Sequence, residues 1–177
     1  MSKAIAIVGR TKTGKTTLTK ELLQGFDKSR VFVYDVNNEY KEFRRGALPK
    51  FSDFLNNLTR KDARGELVTR KSALVFEEAT IFLRHNTQSE QITELLTTKR
   101  HTENFIILNF HSLRKLPVYI LDMLDYVIIK KTNDNPKFIE QKFGDWSDIF
   151  EAWQQVNNQQ DDVNNDNYKT EWVDLYD

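Results

Sequence analysis

The chain has 177 residues, 26 of them basic and 26 acidic, with three histidines and no cysteine. That length suits one domain built on a sheet covered on both faces, and is too short for such a core plus a large second domain. A disulfide framework and a thiolate metal site are excluded, a histidine metal cluster is disfavoured, and no apolar run approaches the roughly 18 residues that span a bilayer, so a soluble, intracellular protein is expected.

Ala4 to Val8 is an uninterrupted apolar run that reads as a buried strand. Gly9-Arg10-Thr11-Lys12-Thr13-Gly14-Lys15-Thr16 follows at once, and Leu18, Leu22 and Leu23 form an apolar helix stripe behind it. Strand, G-x-x-x-x-G-K-[ST] and helix, in that order, make a phosphate loop. The glycines let the backbone curl so that successive N–H groups point at a β-phosphate, and the helix N-terminus adds its dipole. Gly9 through Thr17 are the expected nucleotide contacts; Lys15 reaches the β- and γ-phosphates of ATP, and Thr16 ligates Mg²⁺.

Val31 to Tyr34 reads as a second strand ending on Asp35, with Val36 to Tyr40 as a loop. Phe51, Phe54, Leu55 and Leu58 suit an amphipathic helix, and Arg60 to Gly65 an exposed basic loop. Ala73 to Phe76 is a third strand ending on Glu77-Glu78. Thr87-Gln88-Ser89-Glu90 reads as a capping box for a helix striped by Ile92, Leu95, Leu96 and Lys99. Phe105 to Leu108 is a fourth strand ending on Asn109, and Tyr126 to Ile129 a fifth. Residues 136 to 143 are read as an added edge strand around Phe138 and Ile139, and Trp146 to Trp153 as a closing helix.

Five β-branched and aromatic runs without alternation, separated by helices, predict an α/β fold with a parallel sheet buried on both faces. Ligands of such sheets sit at the carboxyl ends of the strands, where Gly9, Asp35, Glu77 and Asn109 gather. Glu77 is placed to hold Mg²⁺ directly or through water. Its neighbour Glu78, on the opposite side of an extended chain, is placed to orient or deprotonate an attacking water.

Four pieces in this order resemble the FtsK/HerA superfamily of DNA-pumping ATPases: Gly9 to Thr16, Asp35 to Tyr40, Phe76-Glu77-Glu78-Ala79, and Arg100-His101 leading into Phe105 to His111 and Leu116-Pro117. The viral genome-packaging ATPases and the zonula occludens toxin-like phage assembly proteins are the branches it is most similar to, over residues 3 to 131. The resemblance implies a P-loop NTPase with a RecA-like, additional-strand core in which the sensor strand, 105 to 109, lies between the two Walker strands. It also implies assembly as a ring, a hexamer or pentamer, around nucleic acid, with DNA the expected form. Two positions depart from the family pattern. Its metal carboxylate is usually Asp and here is Glu77, and its polar sensor is often Gln, for which Asn109 and His111 compete here. A ring ATPase commonly completes its site with an arginine from the next subunit. Arg100 is the first candidate and Arg84 the second.

The reading that follows is an ATP-hydrolysing motor loading viral DNA into a preformed capsid, in the cytoplasm of a host cell or associated with the virion. A toxin-like assembly or secretion ATPase and a small P-loop kinase are the alternatives. Nucleic acid is expected on basic loops drawn from Arg44-Arg45, Arg60-Lys61-Arg64, Arg70-Lys71 and Arg114-Lys115. The ATPase domain is placed at 1 to 153. From Glu151 onward seven acidic residues stand against one basic residue, Lys169, which leaves 25 basic and 19 acidic residues before them. Residues 157 to 167 are too polar to pack by themselves and read as a linker. Tyr168, Trp172, Leu175 and Tyr176 share one face of a helix, which suits either docking on a neighbouring subunit or capsid vertex protein, or folding back on the same domain.

Overall fold

A computed structural model of the protein describes residues 2–35, 37–45, 51–83, 86–157 and 169–176. One sheet of seven strands organises them: β1 (Lys3–Val8), β2 (Val31–Tyr34), β3 (Arg44–Arg45), β4 (Ala73–Phe76), β5 (Phe105–Phe110), β6 (Tyr126–Lys130) and β7 (Thr170–Asp174). Their order across the sheet is β3-β2-β4-β5-β1-β6-β7. All pairings are parallel except the last, in which β7 runs antiparallel to β6. The predicted sensor strand β5 therefore lies between β1, which feeds the phosphate loop, and β4, which ends on the paired glutamates.

Strand parity sorts the side chains into two layers. Ala4, Ala6 and Val8 of β1, Leu74 and Phe76 of β4, and Ile106, Leu108 and Phe110 of β5 face one core. Helices α2 (Phe51–Leu58), α4 (Asn86–Thr102) and α6 (Ser147–Asn157) cover it with Phe54, Leu55, Leu95, Leu96, Ile149 and Trp153. The alternate residues, Ile5, Ile7, Val75 and Ile107, face a smaller core under α1 (Lys15–Leu22), which contributes Leu18 and Leu22. Both faces being covered explains why the strands read as continuous apolar runs.

Two expectations for the C-terminal part are corrected. Residues 136 to 143 are not an edge strand: Pro136–Lys142 is helix α5, opened by Asn135, whose side chain accepts the Lys137 N–H at 3.0 Å, with proline in the first turn. The C-terminal docking helix is instead strand β7, paired from Thr170 against Lys130 to Asp174 against Tyr126. The predicted linker lies almost wholly outside the described residues, its first residue, Asn157, closing α6, and Tyr168 lies outside them too. Thr87 also does not open its helix as expected, because α4 is already helical at Asn86. A single turn, α3 (Ala79–Phe82), follows the glutamates. Among the described residues no helix is long and apolar enough to cross a membrane.

Candidate active site

The parity that builds the small core also builds the site. Glu77 continues the Ala73, Val75 side of β4 and Asn109 the Phe105, Ile107 side of β5, so both point at α1 rather than at the larger core. There Asn109 donates to Glu77 Oε2 at 2.7 Å and to Thr19 Oγ1 of α1 at 3.2 Å. Tyr40 donates to the same Glu77 oxygen at 2.6 Å. Glu77 is 5% exposed, and burial pushes its carboxyl above the ordinary carboxylate value although these two donors oppose the shift. Burial likewise pushes the Tyr40 hydroxyl up, so it stays a donor.

The phosphate loop is held by backbone contacts to its neighbours. Gly9 N donates to Phe110 O at 3.0 Å and Arg10 N to Lys131 O at 2.8 Å, tying the loop to the ends of β5 and β6. A Cβ on Gly9 would lie 2.7 Å from Thr13 Oγ1 and 2.8 Å from Lys130 Cβ, closer than such atoms approach, so the cradle admits only glycine. Gly14 adopts φ 78°, the left-handed conformation that turns the chain into α1. The amides of Lys15, Thr16 and Thr17 are then first-turn amides, which have no carbonyl partner within the helix. Lys15 Nζ donates to Gly9 O at 2.7 Å and Arg10 O at 3.0 Å, curled over the loop, and burial lowers its pKa although Glu77 and Glu78 oppose that.

Two carboxylates converge on the Thr16 hydroxyl. Glu39 Oε2 accepts at 2.9 Å and Glu77 Oε1 lies at 3.4 Å. Glu39 is brought there by Asp35, whose carboxylate accepts the N–H groups of Glu39 at 3.0 Å and Tyr40 at 2.9 Å and so closes the loop after β2. On the other side His111 Nε2 lies 2.7 Å from Glu78 Oε2, and its Nδ1 lies 3.4 Å from Lys15 Nζ. Burial works to raise the Glu78 carboxyl, but His111, together with other neighbours that include Lys115, holds the group below the ordinary value.

Thr11, Lys12, Gly14, Lys15, Thr16, Thr17, Glu77 and His111 line one cleft of about 530 Å³, together with Asn37 and Glu39. Of the other predicted residues, Gly9 and Thr13 shape the loop from behind, and Asn109 is fully buried beneath Glu77. Arg10 leans away, donating to Asn133 Oδ1 at 3.2 Å. Arg100 is exposed in the last turn of α4, which leads into the N-terminal end of β5. It lies at the sheet edge opposite its own phosphate loop. Arg84 lies outside the described residues.

The sequence reading assigned no role to Glu39, Tyr40, Asn37 or Thr19. The signal was the Asp35-x-x-x-Glu39-Tyr40 spacing, which only gains meaning once Asp35 is seen to bind the two amides that follow.

A divalent cation fits this donor set. Among the described residues no three His, Cys, Asp or Glu side chains form a metal cluster, so an ion here would depend on Thr16, one or two carboxylates and phosphate oxygens, as Mg²⁺ does. The buried Asn109 Oδ1 has no hydrogen-bond partner, which leaves an acceptor behind Glu77 for a rearranged or hydrated site.

No protein-family model matches the chain, and no curated protein matches it in sequence. Solved structures do match. The genome packaging NTPase B204 from Sulfolobus turreted icosahedral virus 2, in complex with ATP-gammaS, is 18% identical over 99% of this chain and 93% of its own, with a TM-score of 0.72. B204, the DNA-packaging ATPase from Sulfolobus turreted icosahedral virus, is 18% identical over 98% and 92%, with a TM-score of 0.65. The N-terminal domain of zonular occludens toxin from Neisseria meningitidis is 15% identical over 75% and 78%, with a TM-score of 0.54. At such identities the likeness is one of fold: the chain has the P-loop NTPase fold, a mainly parallel sheet flanked by helices.

Proposed function

We infer that this protein hydrolyses ATP to move nucleic acid, and that its task is loading a viral genome into a preformed capsid. The observation that supports the hydrolase most directly is the division of labour between adjacent glutamates. Glu77 turns inward to Thr16, where the cation belongs, while Glu78 turns to His111, which keeps it ionised. Mg²⁺, when bound, neutralises charge on the β- and γ-phosphate oxygens. Lys15, now on two loop carbonyls, would meet those phosphates, and Thr16 with Glu77 would hold the ion. Glu78 accepts the proton of the attacking water, with Lys15 and His111 beside it to balance the developing charge.

The packaging half of the reading rests on the genome-packaging NTPases that share the fold over nearly the whole chain. Arg100, remote from its own phosphate loop, is offered to the site of a neighbouring subunit in a ring. The test is ATP turnover with Mg²⁺ as a function of protein concentration and of added DNA. Turnover that rises with both supports an assembled motor. Turnover that responds to neither, with phosphate passed instead to a small nucleotide acceptor, overturns it in favour of a kinase.

A further inference from the structure

A second cavity, of about 650 Å³, adjoins the nucleotide cleft, and His111 lines both. One wall is the turn after β5, Ser112 to Lys115; the other is α5 with the residues leading into it. Both walls are pinned. Asp134 accepts from Ser112 Oγ at 2.6 Å and from Leu113 N at 2.8 Å, and Lys142 donates to Arg114 O at 2.5 Å and Leu116 O at 2.6 Å. Arg10, Arg114 and Lys137 bring three positive charges to this space against the single carboxylate of Asp134, whose two oxygens are both engaged. Phe138 stands beside them 42% exposed.

The basic stretch before β4 lies elsewhere. Lys61, Arg70 and Lys71 are ion-paired to Glu94, Glu66 and Glu103, and all three lie in the chain leading into the N-terminal end of β4, the far edge of the sheet.

We propose that this basic, Phe138-bearing groove holds one strand of a nucleic acid, phosphates on Arg114 and Lys137 and a sugar or base face on Phe138. The proposal rests on the nucleic-acid reading above and gives that partner a place. A cation pair and an exposed ring are what sequence-tolerant strand binding uses. The groove also adjoins the candidate active site, because His111, which lines it, has its Nε2 2.7 Å from Glu78 Oε2.

The experiment measures binding of labelled oligo(dT) and of a labelled duplex across a salt series. R114A/K137A is compared with R60A/R64A, which removes the same charge at the opposite edge. For whichever probe the wild type binds, R114A/K137A is expected to weaken binding at least about tenfold and to flatten the log–log salt slope by about 1 to 2. R60A/R64A should leave most of both, and Phe138→Ala should weaken oligo(dT) binding about five- to tenfold. All four residues changed to alanine in pairs are exposed, so unchanged thermal transitions check that the variants fold. Wild-type binding with equal losses in both double variants, or none in R114A/K137A, overturns the groove while leaving the motor reading standing. A wild type that binds neither probe overturns both.

Discussion

His111 stands between the charged groups of the candidate site: Nε2 is 2.7 Å from Glu78 and Nδ1 is 3.4 Å from Lys15 Nζ. Glu78 is half-buried, and desolvation alone would raise its pKa; the histidine leads the neighbours that together reverse the sign. Removing the histidine should therefore raise that pKa. His111→Ala is expected to lower kcat and to move the acid limb of its pH profile to higher pH, since Glu78 then protonates earlier as pH falls. Glu78→Gln should lose about 10² to 10⁴ in kcat while still binding ATP. A His111→Ala limb that stays at the wild-type pH would show that the histidine does not set the charge on Glu78.

Glu77 gives a stability prediction of the opposite kind. Its folded-state pKa is raised above the unfolded value, so its contribution is present at acid pH and is lost as pH rises through the raised value. Glu77→Gln keeps an acceptor for Tyr40 and Asn109 and removes the buried charge. The nucleotide-free variant should melt higher than wild type at pH 7, and the gap should close in acid. Mg²⁺ and ATP should stabilise the variant less than they stabilise wild type. A gap independent of pH would mean that Glu77 does not carry the charge in question.

At Gly9 the prediction is steric. An added methyl meets Thr13 Oγ1 and Lys130 Cβ well inside contact distance, and the Lys130 atom belongs to the neighbouring strand and cannot swing away. Gly9→Ala should cost about 1 to 3 kcal/mol of stability. Thermal melts and ATP titration check it together, because the same shift displaces the carbonyl that holds Lys15.

Much of this was legible in the sequence because its signals are local. The phosphate loop has a fixed spacing, and buried parallel strands announce themselves as apolar runs whose polar termini mark the active edge. What escaped was non-local or ambiguous in period. Glu39 meets Thr16 only through a turn closed by Asp35. The apolar residues of 136 to 143 suit an edge strand by composition, but Asn135-Pro136 is a helix start. Trp172, Val173 and Leu175 lie too close together to separate a short helix from an edge strand, and pairing with β6 decided it.

That pairing yields the last prediction. Val173 is 5% exposed and packs into the larger core, while Trp172 on the other face lies edge-on to Tyr126 at 6.1 Å between ring centroids. Further contacts tie the segment down: Lys130 donates to Thr170 Oγ1 at 2.7 Å, Leu175 N to Asp125 O at 3.2 Å, and the Tyr176 hydroxyl to Asp122 O at 2.9 Å. The ladder with β7 covers an edge of β6 that would otherwise present unpaired backbone groups to solvent or to another chain. Val173→Ala should cost about 1 to 3 kcal/mol, a fall of several degrees in melting temperature for a domain of this size. Deleting residues 169 to 177 should cost more and promote aggregation through the bared strand. Melting the protein at a concentration where it is monomeric makes the distinction: a lower midpoint places the segment in its own domain's core, whereas an unchanged midpoint with lost assembly would mean that it docks on a neighbour.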